Sequence, residues 1–354
     1  MFYIALRGYK ANNHYGGSST LICGIFFIIF GFYNLLLGFF PFPFNGFIIW
    51  WIGIILFVYI GFALMIKKVI KKLDNEELNS EKSKNSRLEK YVLLMIKENP
   101  YKQDISIKME TVRKSFHLAG FLFVFAFFGF FFIFPLARIV NDTIIVFINE
   151  TEWLYNILWG SIHRYPYSKG DFQAIVDLTM FALIGTLIFA ITSDIIRVIW
   201  GPEYSIYNFL TKAVLRDKEY NACAAHIYLV SSIIFSYMLY MIGFVHILTV
   251  VVAILIACFS DAFAAVIGRK YGNHKVKCLG GEIKSIEGFL AGTGSAFIIG
   301  LIVVGPIYAL IAALIFFLID YFPVVIADNI LNPIAITIGI TASMILLRVP
   351  IGWF

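Results

Sequence analysis

Residues 259–292, FSDAFAAVIGRKYGNHKVKCLGGEIKSIEGFLAG, crowd acidic, basic and glycine positions into one short stretch. Asp261 is flanked by Ala262, Ala264 and Ala265 and followed by Gly268, small residues that let a ligand or a second helix approach closely. Arg269, Lys270, Gly272, Lys275 and Lys277 come next, then Gly280, Gly281 and Lys284, with Glu287 at the start of a new apolar run. Glycines allow backbone amides to face phosphate oxygens, and basic side chains neutralise them. A helix start near Lys284 adds a positive dipole end. Magnesium typically binds through one or two carboxylates plus substrate phosphates, which makes Asp261 and Glu287 candidate ligands. The chemistry is that of a phosphate loop, although the G-x-x-x-x-G-K-S/T spacing is missing. A basic membrane-flanking loop with flexible glycines would use the same residue types.

Other ionisable groups sit at the ends of apolar runs: Arg113-Lys114 with His117, Asp194 with Arg197, and Asp328-Asn329. Such groups are costly inside a helix bundle and tend to line sites. Arg113 and His117 are four apart and share a helix face. They also suit a basic anchor at the membrane surface. Asp194 and Arg197 are three apart, the spacing of an intrahelical ion pair.

The elements that must position these residues are set by composition. Of 354 residues, 60% are hydrophobic and 14% charged, against about 25% charged in ordinary globular chains. Too little polar surface remains to wrap a water-soluble core, which excludes a soluble enzyme, a secreted disulfide scaffold and a disordered tail. Cys23, Cys223, Cys258 and Cys278 form no C-x-x-C pair, so neither a disulfide framework nor a zinc site is expected. The first twenty residues do not read as a cleaved signal peptide.

A crossing helix needs about 20 apolar residues. Nine segments qualify, over 20–40, 46–66, 116–136, 174–196, 223–243, 246–267, 286–304, 306–320 and 333–350. The expected fold is an all-α polytopic membrane protein of about nine transmembrane helices. Alternate threading puts 67–114, 197–222, 268–287 and 321–332 on one side and 138–173 on the other. Segments 67–114 and 268–287 carry an excess of Lys and Arg, whereas 138–173 is mildly acidic. The positive-inside rule then makes the N-terminus cytoplasmic and sets the active site at the cytoplasmic helix ends. The sequons Asn141-Asp142-Thr143 and Asn149-Glu150-Thr151 fall in the expected outer loop. The chain divides into an N-terminal two-helix membrane segment (1–66), a charged cytoplasmic linker (67–110) and a transmembrane catalytic region (111–354). In the linker, the apolar YVLLMI patch is expected to lie against lipid headgroups.

In order, TVRKSFHLAG, SDIIRV, SDAFAAVIGRKYGNHK, KSIEG and ADNILNP resemble the motifs of the polyprenol kinase family: dolichol, phytol and farnesol kinases and CTP-dependent diacylglycerol kinases. LRDKEYNACAAHIYLV looks most like the dolichol kinase branch, with Ala225 where that branch has threonine and Asp194 where the family more often has glutamate. The resemblance covers about 111–350. It implies phosphoryl transfer from CTP to the hydroxyl of a membrane-embedded isoprenoid alcohol with a divalent metal, Mg2+ by preference. Arg113 and Lys114 match the family's basic pair, Asp261 its aspartate, Gly268 and Gly272 its loop glycines, Lys284 and Glu287 its K-S/T-x-E-G element, and Asp328 and Asn329 its late D-N pair.

On this reading Arg113, Lys114, Gly268, Arg269, Lys270, Gly272, Lys275, Lys284 and Asn329 bind nucleotide, and Asp261 and Glu287 hold magnesium. His117 and Asp328 are the candidate general bases, Asp328 preferred. Asp194, Arg197 and His226 play supporting roles. The run FLFVFAFFGFFFIF on the third span either lines a lateral entry for the alcohol or is ordinary lipid-facing surface. The glycine-rich FLAGTGSAFIIG is expected to pack closely near the nucleotide. Partners are CTP, the alcohol and the bilayer, with no nucleic acid. The location is the endoplasmic reticulum membrane in a eukaryote or the plasma membrane in an archaeon. A cytidylyltransferase forming a CDP-lipid is the nearest rival; a transporter, which would need charges near the bilayer midplane or broken helices there, or a non-catalytic scaffold is the alternative of another class.

Overall fold

The computed structural model describes residues 1–38, 42–76, 86–96, 133–159, 167, 170–211, 215, 219–278, 283–322 and 324–353. Arg113, Lys114, His117, Gly280, Gly281 and nearly all of the 116–136 span lie outside the described residues.

The protein is an all-α polytopic membrane protein. Among the described residues its helices are α1 (Phe2–Lys10), α2 (His14–Leu37), α3 (Phe44–Glu76), α4 (Arg87–Met95), α5 (Phe134–Trp159), α6 (Asp171–Ile199), α7 (Ile206–Thr211), α8 (Ala225–Met241), α9 (Ile247–Leu255), α10 (Asp261–Lys270), α11 (Ile286–Val304), α12 (Pro306–Tyr321) and α13 (Asp328–Leu347). Six stretches are long and apolar enough to cross a membrane: His14–Leu37, Phe44–Leu73, Ala174–Ile199, Ile247–Lys270, Ile286–Val304 and Asp328–Leu347. Ala225–Met241 and Pro306–Tyr321 are shorter apolar helices. Large apolar side chains such as Phe57, Ile302 and Leu346 point outward at 70–80% exposure. An apolar outer surface of this kind suits lipid rather than water.

Hydrogen bonds and ring contacts order the bundle end to end. Phe44 meets Phe181, Trp51 Nε1 donates to the Gly185 carbonyl and Tyr59 meets Phe189, so α3 and α6 run parallel. Gly300 faces Ala309 across the Gly305 turn, making α11 and α12 an antiparallel hairpin. The ends of α6, α10 and α12 and the starts of α2, α8, α11 and α13 therefore gather at one end of the molecule. The starts of α3, α6 and α9 lie at the other.

The expected outer loop 138–173 is instead largely helical. α5 lies across the starts of α3 and α6: the Tyr155 hydroxyl approaches the Pro43 carbonyl at 3.4 Å, and Asn141 Oδ1 accepts from the Tyr167 hydroxyl and the Gly170 amide at 2.9 and 3.0 Å. Its charges, Arg138, Asp142, Glu150 and Glu152, made it read as a loop. Its apolar face, with Ala137 buried and Phe147 against Phe47, binds it to the bundle. Asn141, the first sequon asparagine, is buried there.

Segment 1–37 is also more than a membrane anchor. α1 crosses α2 where Gly8 and Gly17 approach so closely that a Cβ on Gly8 would lie 3.1 Å from Gly17 Cα. The YVLLMI patch divides: Tyr91, Val92 and Met95 bury against α3, while Leu93, Leu94 and Ile96 stay exposed. The Tyr91 hydroxyl donates toward the Pro202 and Ser205 carbonyls, and Ser86 with Glu89 forms a capping box that starts α4.

Candidate functional site

The path Ile247–Lys270 is interrupted by a single π-helical turn, Ile256–Ser260, immediately before Asp261. Such insertions shift the face that later residues present and recur at functional sites. Beyond it, α10 packs on α11 along a seam of small residues. A Cβ on Gly288 would lie 2.9 Å from the Ala264 carbonyl oxygen, and one on Gly292 would lie 2.9 Å from Ala264 Cβ. The close packing expected for FLAGTGSAFIIG is present, and its cause is the missing side chains.

Of the expected phosphate loop 268–287, the described residues are largely helix and strand. α10 runs on through Gly268, Arg269 and Lys270, and a two-stranded antiparallel hairpin follows: β1 (Lys275–Lys277) with β2 (Ile283–Ser285), Val276 opposite Lys284. Gly268 and Gly272 are packing positions in this fold. A Cβ on Gly268 would stand 2.9 Å from Ser285 Oγ, and one on Gly272 would overlap the Gly268 carbonyl. Ser285 caps α11 by accepting from the Gly288 amide at 3.1 Å and donates to the Gly268 carbonyl at 3.3 Å. Arg269, Lys270, Lys275 and Lys277 are exposed on this cap.

Glu287 does not meet Asp261. Its carboxylate accepts from the Asn273 and His274 amides at 3.2 and 3.1 Å and pairs with His274 Nδ1 at 2.7 Å. The α10–α11 register sets Gly268 beside Gly288, so Asp261 lies about two helical turns, roughly 10 Å, further along the bundle. Sequence spacing missed this because the Asn273–His274 turn, which occupies Glu287, exists only once the hairpin has folded.

Lys284 has a partner that the sequence reading passed over. Its ammonium lies 2.5 Å from Asp320 Oδ1 and donates to the Asp320 carbonyl at 2.8 Å. Asp320 ends the apolar α12, in the same kind of position that drew attention to Asp261 and Asp328. It lies within electrostatic range of both. Asp261, Asp320 and Asp328, all partly exposed, with Asp261 and Asp328 in electrostatic range of Asp320, thus mark one acidic end of the bundle, its mouth, where Lys284 is paired to Asp320.

Asp328 and Asn329 open α13. Asp328 Oδ1 accepts from the Asn329 amide at 2.8 Å, the Asn329 carbonyl accepts from Ser232 Oγ at 2.9 Å, and Asn329 Nδ2 donates to the Ala225 carbonyl at 3.5 Å. Asn329 is itself buried, so its polar atoms serve the junction of α8 and α13.

Asp194 and Arg197 form a fully buried pair at 2.9 Å. Arg197 also donates to the carbonyls of Glu219, Tyr220 and Ala222, and Asp194 Oδ2 accepts from the Ala224 amide. Together they fasten segment 219–224 over the start of α8. His226 stacks on Tyr207 with ring centroids 4.1 Å apart. All three therefore act on the scaffold beside the mouth.

Among the described residues no three His, Cys, Asp or Glu side chains are grouped as a ready-made metal cage. The arrangement offers a half-buried acidic mouth with one oriented lysine, rimmed by an exposed basic hairpin. Comparison of the chain with protein-family models, with curated proteins and with solved structures finds no match.

Proposed function

We propose that this chain is a membrane lipid kinase of the polyprenol kinase type, transferring the γ-phosphoryl group of CTP to the hydroxyl of an isoprenoid alcohol dissolved in the bilayer. The observation that carries the reading is the Lys284–Asp320 pair, with Asp261 and Asp328 within electrostatic range of Asp320, beside the exposed cations of the hairpin. Phosphoryl transfer depends mainly on positioning and charge stabilisation, and this end supplies both. Lys270, Lys275 and Lys277 attract the triphosphate, and Lys284, oriented by Asp320, faces its reacting end. Asp328 takes the proton from the alcohol as its oxygen bonds to the γ-phosphorus, and the bond to the bridging oxygen breaks to release CDP. His117 is the alternative base.

Among the described residues, three carboxylates against Lys284 leave the mouth negative, a balance that suits a divalent cation carried in with the nucleotide. Asp261 would hold that ion with the phosphates, and Glu287, occupied by the Asn273–His274 turn, is not a second ligand. When bound, the ion would offset charge on the transferred group.

The basic excess of 67–114 and 268–287 orients the mouth, and the N-terminus with it, to the cytoplasm, with nine crossings if 116–136 supplies the third. α5 then lies on the outer surface. The host membrane is the endoplasmic reticulum or an archaeal plasma membrane. The test is incubation of detergent-purified protein with γ-labelled CTP or ATP and a panel of diacylglycerol, farnesol, phytol and a long polyprenol. Label in the polyprenol supports the kinase. Label released as pyrophosphate turns the reading to a cytidylyltransferase, and no transfer to any acceptor removes catalysis in favour of a transporter or scaffold.

A further inference from the structure

The start of α13 is anchored from the far end of the sequence. Its N-cap, Ala327, has an extended backbone and a side chain that cannot cap. The Ala327 amide instead donates to Ser19 Oγ of α2 at 2.9 Å, across 308 positions of sequence, and Ser19 is completely buried. The next residue of α2 makes a similar contact on a neighbouring element: Thr20 Oγ1 accepts from the Cys223 amide at 3.1 Å and pairs with the Tyr228 hydroxyl at 3.1 Å. Arg7 of α1 donates to the Val198 carbonyl at the end of α6. Asn13 caps α2 through the Gly16 amide, so Ser19 and Thr20 sit on a well-started helix.

We propose that Ser19 is a positioning residue for Asp328, and that α1 and α2, which carry none of the recognised motifs, complete the catalytic end of the protein. The physical reason is local. Asp328 follows Ala327 directly, and the Ile330 and Leu331 amides both donate to the Ala327 carbonyl. A hydroxyl that holds the Ala327 peptide thereby sets where the first turn begins and where the Asp328 carboxylate stands. Ser232 holds the same turn from the other side through the Asn329 carbonyl. Thr20 lies one residue away on α2 but touches α8 and its entry, not α13, which makes it the internal control.

The inference rests on the kinase reading for its activity arm only. Ser19→Ala and Thr20→Val are compared in the full chain by kinase assay and by hydrogen exchange of 327–331. Ser19→Ala is expected to lower kcat about tenfold with the KM for CTP unchanged, the loss of roughly one buried hydrogen bond's positioning, and to speed exchange at Ile330 and Leu331. Thr20→Val is expected to lower the melting temperature with kcat intact. Equal kcat losses in the two variants, or unchanged exchange at 327–331 in Ser19→Ala, overturn the proposal. Should Ser19→Ala not purify, Ser19→Cys, which keeps a weaker acceptor of similar size, is read by the same two measurements. If the wild-type protein transfers label from no nucleotide, the kinase reading falls and exchange alone decides: selective acceleration in α13 supports the role of Ser19, and no change removes it.

Discussion

Lys284 and Asp320 provide the sharpest test of how the acidic mouth is balanced. Their contact is 2.5 Å with side chains 28% and 15% exposed, between a surface pair worth about 0–1 kcal/mol and a buried pair whose breaking costs about 3–5 kcal/mol. Asp320→Asn keeps the Lys284 bond to the backbone carbonyl, so its cost is set at about 1–2 kcal/mol. Lys284→Ala is worse, because it leaves Asp320 facing Asp261 and Asp328 with no counter-charge. The loss is that of the ammonium's attraction for a partly buried carboxylate, which approaches the cost of breaking a buried pair. The expected order of melting temperature in detergent, followed by tryptophan fluorescence, is wild type, then Asp320→Asn, then Lys284→Ala. The double variant should lie no lower than Lys284→Ala, giving a coupling of about 1–3 kcal/mol. Added magnesium should raise Lys284→Ala more than it raises the double variant, since the former has one more carboxylate to offset. Additive losses, or a Lys284→Ala protein as stable as the wild type, would falsify the charge-balance argument.

Arg197→Ala leaves the buried Asp194 without its charged partner and takes the guanidinium from the Glu219, Tyr220 and Ala222 carbonyls, so a loss of about 3–5 kcal/mol and failure to purify as a monodisperse protein are expected, with Arg197→Lys only partly restoring it. Gly288→Val drives a side chain into the Ala264 carbonyl and should cost about 1–3 kcal/mol, read as a lowered melting temperature; a neutral result would refute the α10–α11 seam. The Lys72 ammonium and the Ser86 amide hold the Glu89 carboxyl below its ordinary value of 4.5, so its contribution to docking α4 is present above that pH and is lost as the pH falls through the lower folded value. Protection of the 87–95 amides, taken relative to their intrinsic exchange rate at each pH, should therefore fall on acidification in the wild type and show no such step in Glu89→Gln. Expressed in a glycosylating host, Asn141 should carry no glycan, because it is buried in α5 and bonded to Tyr167 and Gly170, and a mass shift on its peptide would refute that placement.

Much of this architecture was legible in one dimension. Residues 286–304 were read as a span and form Ile286–Val304, 174–196 lies within Ala174–Ile199, and 246–267 matches Ile247–Lys270 to one residue at its start and three at its end. These segments are predominantly apolar, and a bilayer demands length and hydrophobicity of a crossing helix above all else. α5 escaped because its apolar face is interrupted by Arg138, Asp142, Glu150 and Glu152, which a linear hydropathy reading averages into a loop. The hairpin escaped because three-residue strands carry almost no periodic signal.

For the candidate site the division is similar. Residue types and their places at helix ends picked out Asp261, Lys284, Glu287 and Asp328, since charged groups beside apolar runs stand out against so uniform a background. Which of them meet was decided by tertiary structure alone. Glu287 turned to the Asn273 and His274 amides, Lys284 to an aspartate 36 positions away, and the start of α13 to a serine 308 positions away. Periodicity along a chain reports which face of a helix is apolar. Hydrogen bonds and ion pairs form between whatever groups the packing of helices brings within about 3 Å, and that distance is not written along the sequence.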